Sequence, residues 1–292
     1  MSLVCKVQNP CASNAHSKRL IVKLTGECTA KCKFCIKREN YPPKNRMYPD
    51  RFAKLILKHP AKFVTLSGGD CALYPHLEKL LEIITNKKVV TLETNGVLFT
   101  ELLHLFDVSL LDHIVLFACS PDEALNKKAM RSKQPVLWNE LRESFGKLLK
   151  RTTITITVPL YKGFVDDEKE VIKTIYWAKG MGANKLIFEE LQDCSVEDGF
   201  ISARDIPFFK THGLVMAIPF HEGCLHEIPN FLEEMSVYLK QVCGLVSPEK
   251  VQTGMEGVDS SVDVLYPNGT IQKQYGCLNK PIVDMTKDEE EE

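Results

Sequence analysis

"RLIVKLTGECTAKCKFC", residues 19–35, runs from an apolar stretch directly into three cysteines. Leu20, Ile21, Val22 and Leu24, followed by Gly26, predict a β-strand over 19–25. Cys28, Cys32 and Cys35 then fall in a loop at that strand's C-terminal end. Thiolates are soft ligands suited to zinc or iron–sulfur clusters. Structural zinc normally takes four protein ligands, and a disulfide takes two cysteines. Three thiols in one short loop leave a coordination position open, which separates a reactive metal site from a closed one.

The strand-then-loop pattern repeats outward along the chain. Further strands are predicted over "KFVTLS" (62–67), "KVVTLETNG" (88–96), "DHIVLFACS" (112–120), "TTITITVPL" (152–160) and "NKLIFEEL" (184–191). Helical spacing lies between them at 48–60, 76–86, near 98–106, 136–150 and 166–182. Six strands alternating with helices predict an α/β fold with a parallel sheet and right-handed crossovers. Six units are too few for a closed eight-stranded barrel, so the expected form is a partial (β/α)6 TIM-like barrel with a short C-terminal extension. Barrels of this kind place their chemistry at the C-terminal strand ends. Cys28, Gly68, Asn95 and Ser120 all fall there.

The expected organisation is an N-terminal extension over 1–19, the partial barrel over 20–220 and a C-terminal extension over 221–292. Within the last, "PNFLEEMSVYLKQVCG" (229–244) reads as a helix and "VDVLYPNGTIQKQYGC" (262–277) as a hairpin turning at Pro-Asn-Gly-Thr. An acidic "KDEEEE" follows.

The 292 residues are 44% hydrophobic and 26% charged, as in a soluble protein with a full core. A net charge of −1 gives no global pull toward DNA or a membrane. No apolar run is long enough to span a bilayer, and no signal-peptide core follows the N-terminus, so a cytoplasmic, reducing setting is expected. There, eleven cysteines, an odd number, read as ligands, catalytic groups or buried thiols rather than disulfides. Six basic residues against one acid between Lys31 and Arg46 form either a solvated face or a dock for an acidic electron donor such as flavodoxin or ferredoxin.

Three motifs in order carry a resemblance. Cys-x3-Cys-x2-Cys, with Phe34 just before the third cysteine, follows strand one; "LSGGDC" (66–71) follows strand two; "ETNG" (93–96) follows strand three. Together they resemble the radical S-adenosylmethionine superfamily, over roughly residues 20–220. The resemblance implies a [4Fe–4S] cluster held by Cys28, Cys32 and Cys35. Its open iron would be chelated by the amine and carboxylate of S-adenosylmethionine. Reductive cleavage would then give methionine and a 5′-deoxyadenosyl radical that abstracts hydrogen from substrate.

The resemblance also implies cofactor contacts. Gly68 and Gly69 would meet the methionine portion; a plain tight turn is the alternative. Asp70 stands where the family usually has Glu and would accept from the ammonium; Cys71 stands where Pro is usual. Asn95 and Gly96 would line the pocket, Ser120 would contact the ribose, and Phe34 would pack on adenine or be a core aromatic. The substrate expected is a small molecule or nucleotide, with a peptide or protein side chain second. Cys194, Cys224, Cys243 and Cys277 are buried thiols or ligands of an auxiliary cluster. Two rival readings are a non-catalytic iron–sulfur descendant acting as a sensor or binding protein, and a zinc site completed by a distant His or Cys.

Overall fold

The computed structural model describes residues 19–32, 34–35, 47–99, 101–102, 110–148, 152–191, 199, 201–212, 215–220, 223–228, 235–241 and 261–275. Six parallel strands form its centre: β1 (Arg19–Thr25), β2 (Phe63–Gly68), β3 (Val89–Thr94), β4 (His113–Phe117), β5 (Thr153–Leu160) and β6 (Lys185–Glu190). Between and after them lie α1 (Pro49–Lys58), α2 (Leu77–Ile84), α3 (Glu123–Met130), α4 (Trp138–Leu148), α5 (Glu168–Gly180) and α6 (Pro207–Thr211).

Strand alternation sorts the two sheet faces. Leu20, Val22, Val64, Leu66, Val90, Leu92, Ile114, Ile156 and Phe188 point one way and are fully buried. They share one apolar core with Phe52 and Ile56 of α1, Leu80 and Leu81 of α2, Phe145 of α4 and Ile175 of α5. Each such side chain contributes about 1.5–3 kcal/mol by leaving water. The opposite positions are mostly polar, including Lys23, Ser67, Thr91, Glu93, His113, Thr155 and Thr157. One face is therefore packed under helices and the other is chemically rich.

The remaining strands extend this sheet at both edges. β7 (Val215–Phe220), β8 (Gly223–Ile228) and β9 (Ser236–Gln241) form an antiparallel meander, and β9 pairs parallel to β6. β10 (Ser261–Leu265) and β11 (Ile271–Tyr275) form the predicted hairpin, which docks parallel on β1. The full order is β11-β10-β1-β2-β3-β4-β5-β6-β9-β8-β7, an open sheet and thus a partial TIM-like barrel.

One expectation needs correction. Residues 236–241 of the expected 229–244 helix are the strand β9. Met235, Val237 and Leu239 are buried while Ser236 and Tyr238 are half-exposed, the period-two pattern of a strand. The short, lysine-rich helix α3 was not anticipated; Asp122 starts it by accepting from the Leu125 N–H at 2.8 Å. Residues 1–18, most of the stretch near 98–106, and the acidic tail lie outside the described residues.

Candidate functional site at the strand ends

The loops after β1, β2 and β3 are bonded into one unit. The Gly69 N–H donates to the Thr25 carbonyl and the Asp70 N–H to the Glu27 carbonyl, both at 2.8 Å. A Cβ on Gly68 would stand 2.4 Å from the Thr25 oxygen, and one on Gly69 would stand 2.0 Å from the Glu27 oxygen. Gly68 also has φ +140°, a conformation few side chains tolerate. The glycine pair is thus required by its own chain: it lets the second loop lie directly on the backbone of the cysteine loop.

Asp70 is completely buried. One carboxylate oxygen accepts from the Thr29 hydroxyl at 2.8 Å; the other accepts from the Thr94 hydroxyl at 3.2 Å and the Ala72 N–H at 3.3 Å. Burial pushes its pKa up, against the opposing pull of those three donors. Asn95 closes the unit. Its Nδ2 donates to Thr29 Oγ1 at 2.8 Å and lies 3.6 Å from Cys28 Sγ, while its Oδ1 accepts from the Val97 N–H at 3.0 Å.

The three loop cysteines differ in setting. Cys28 is exposed, Cys32 is buried and Cys35 is intermediate. Cys28 Sγ also accepts from the Ala30 N–H at 3.4 Å. Although part of the residue is exposed, the atoms packed around the Cys28 sulfur desolvate it and raise its pKa most; the Ala30 donor opposes this, and Asp70 and Cys35 raise it further. The C-terminal end of α3 clasps the same loop: the Met130 carbonyl accepts from the Lys31 N–H at 2.8 Å and lies 3.8 Å from Cys32 Sγ. Among the described residues no three His, Cys, Asp or Glu side chains already stand as a metal-ready group. As a thiolate ligand Cys32 would lose the S–H that it directs at the Met130 carbonyl.

Phe34 and Ser120 both lie inside the protein. Phe34 is buried between Phe117 and Tyr161, with ring centroids 5.9 and 5.1 Å away. Ser120 is fully buried, and its hydroxyl accepts from the Asp122 N–H at 3.1 Å. Cys224 lies on β8; Cys194, Cys243 and Cys277 are outside the described residues.

Sequence reasoning passed over Thr29, Asn126 and Cys119. Thr29 sits between two of the cysteines and bridges Asp70 to Asn95. Asn126 Oδ1 accepts from the Cys119 N–H at 2.8 Å, while its buried Nδ2 has no partner. Burial drives the Cys119 thiol pKa well up, and Cys32 nearby adds to it, so a fourth thiol borders the loop. Its placement directly before Ser120 at a strand end was the available signal.

An open sheet with six parallel central strands and a hydrogen-bonded rim that carries several thiols defines the class of α/β protein. A family model described as the radical SAM superfamily matches residues 22–175, and the chain belongs to that superfamily. No curated protein matches it. Among solved structures it is similar to Streptococcus suis SuiB bound to S-adenosylmethionine, with 14% identity and a TM-score of 0.61, covering 92% of this chain and 63% of that one. A second structure, SuiB bound to precursor peptide SuiA, has 17% identity and a TM-score of 0.48, covering 61% of this chain and 40% of that one. A third, anSMEcpe with bound AdoMet and Cp18Cys peptide, has 18% identity and a TM-score of 0.45, covering 58% and 50%. The chain thus spans less than two thirds of the length of these structures. Membership of that superfamily implies a [4Fe–4S] cluster and S-adenosylmethionine as its cofactors.

Proposed function

We propose that Cys28, Cys32 and Cys35 hold the cluster and that the chain generates a 5′-deoxyadenosyl radical to abstract hydrogen from a small-molecule or nucleotide substrate. The carrying observation is the fusion of three strand-end loops around Cys28, Thr29, Asp70 and Asn95. The donor set fits the group: three soft thiols share one loop, and N–H groups of Ala30 and Asn95 face the Cys28 sulfur. When bound, a reduced cluster supplies the electron that breaks the sulfonium C–S bond of S-adenosylmethionine.

The chain's own residues hold that chemistry in place. Gly68 and Gly69 fix the second loop against the first, and Asp70 ties Thr29 to Thr94 across β3. Asp70 therefore fixes loop geometry, and the lone pair left on Oδ2 beside the Thr29 donor is the one proposed to accept from the cofactor ammonium. Phe34 stiffens the rim through Phe117 and Tyr161, and Ser120 shapes the turn into α3. The polar sheet face supports a small polar substrate: Ser67 donates to Glu93, whose charge also opposes the burial-driven lowering of the Arg19 pKa. A flavodoxin- or ferredoxin-like donor is the expected electron source. A peptide or protein side chain is the second substrate class.

The test uses anaerobically reconstituted protein, reduced with dithionite and given S-adenosylmethionine. About four irons per chain are expected, with release of 5′-deoxyadenosine read by mass spectrometry. Cys35→Ala is expected to abolish that release; retained release would sink the ligand assignment. Zinc in place of iron, or iron with no deoxyadenosine under any substrate, would favour the rival readings.

A further inference from the structure

We propose that Asn95 tunes the reduction potential of the cluster by donating an N–H···S hydrogen bond to Cys28, with Thr29 and Asp70 fixing the aim of that bond. This rests on the reading of Cys28 as a cluster ligand.

The orientation of the Asn95 amide follows from its neighbours. Its Oδ1 accepts the Val97 N–H at 3.0 Å, so the NH2 end points the other way. Thr29 has one hydroxyl proton and two acceptors in reach, Asp70 Oδ2 at 2.8 Å and Asn95 Oδ1 at 3.1 Å; the shorter contact, to a carboxylate, takes it. The Thr29 oxygen then offers a lone pair to Asn95 Nδ2 at 2.8 Å. A flipped amide would set its oxygen against an oxygen with no proton left to give. One Nδ2 proton is thus spent on Thr29, and the second faces Cys28 Sγ at 3.6 Å, within the reach of an N–H···S bond. Asn95 is buried at 8% exposure, so water competes little for that proton.

Reduction places extra negative charge on the cluster and its thiolate ligands. A fixed N–H dipole aimed at one of those sulfurs favours the reduced form and raises the potential. Only the strengthening of that bond on reduction shifts the potential; a ten-fold preference for the reduced form is about 59 mV for a one-electron couple. Asn95 is therefore a positioning and tuning residue acting through Cys28, and Thr29 and Asp70 act through Asn95.

The experiment is an anaerobic redox titration of the reconstituted protein without S-adenosylmethionine, followed by EPR, with iron counted on each sample. Asn95→Leu, similar in shape and without the donor, is expected to load iron and titrate at a lower potential. Thr29→Val, which removes the aiming hydroxyl, is expected to shift in the same direction, and Thr29→Ser to stay at the wild-type value. Wild-type potential in an iron-loaded Asn95→Leu protein overturns the inference. If Asn95→Leu fails to fold, the Thr29 pair decides: equal potentials for Val and Ser overturn it. Cys28→Ala with undiminished iron would instead overturn the ligand reading beneath it.

Discussion

His59 Nε2 donates to Asp263 Oδ2 at 3.0 Å, joining the end of α1 to β10 in the C-terminal hairpin. The ring is oriented by the Ala61 N–H, which donates to His59 Nδ1 at 3.2 Å and leaves the proton on Nε2. The His59 side chain is only 8% exposed. Asp263→Ala is expected to cost about 1–3 kcal/mol, because it strands a buried donor. Asp263→Asn keeps an acceptor and most of that stability. Urea denaturation of the two variants checks this; equal midpoints for Ala and wild type would show the bond to be idle.

Gly69→Ala is expected to be far worse than an ordinary surface change. Its methyl would meet the Glu27 carbonyl carbon at 2.5 Å as well as the oxygen, and both are backbone atoms that cannot rotate away. Overpacking of this kind costs about 1–3 kcal/mol or more. Because the displaced backbone is the cysteine loop, iron binding should fall together with thermal stability. Normal iron loading with a lowered melting temperature would separate the two and contradict this picture.

Asp70 predicts a pH dependence. Burial raises its folded-state pKa, so the native protein holds the proton more tightly than the unfolded chain. Its contribution to stability is full below about pH 4 and is lost as pH rises through the raised native value. Asp70→Asn keeps an oxygen for Thr94 and Ala72 and has no proton to lose. Its stability relative to wild type should therefore improve from acidic to neutral pH, as read by denaturant midpoints at several pH values. A constant difference would remove Asp70 from the titration.

Phe34→Ala should cost about 3–5 kcal/mol, since the ring is buried among aromatics. Phe34→Leu should recover much of that loss. If calorimetry shows Phe34→Ala to be as stable as wild type, the ring is not core.

The central six strands were legible because each is a short apolar run ending in a polar turn. β9 was not: "FLEEMSVYL" also places apolar residues three and four apart, and only pairing with β6 and β8 selects period two. α3 escaped because five of its eight residues, Glu123, Asn126, Lys127, Lys128 and the small Ala129, give no broad apolar stripe. At the site, the cysteines and glycines stood out by type and spacing. Thr29 did not, since a hydroxyl acquires a role only when β2 and β3 bring Asp70 and Asn95 to it. Ser120 was located correctly at a strand end, but its burial and its bond to Asp122 depend on the turn into α3.

The docking of β10 on β1 sets an order of assembly. Strand β1 leaves the ribosome well before its outer neighbour β10, with all the central strands made in between. Until residues 261–265 emerge, one edge of β1 offers unpaired N–H and C=O groups beside the cysteine loop. Such long-range pairing is slow to form. The nascent protein thus carries an unpaired strand edge and the cysteine loop side by side until β10 docks, after which β11 adds on its outer side.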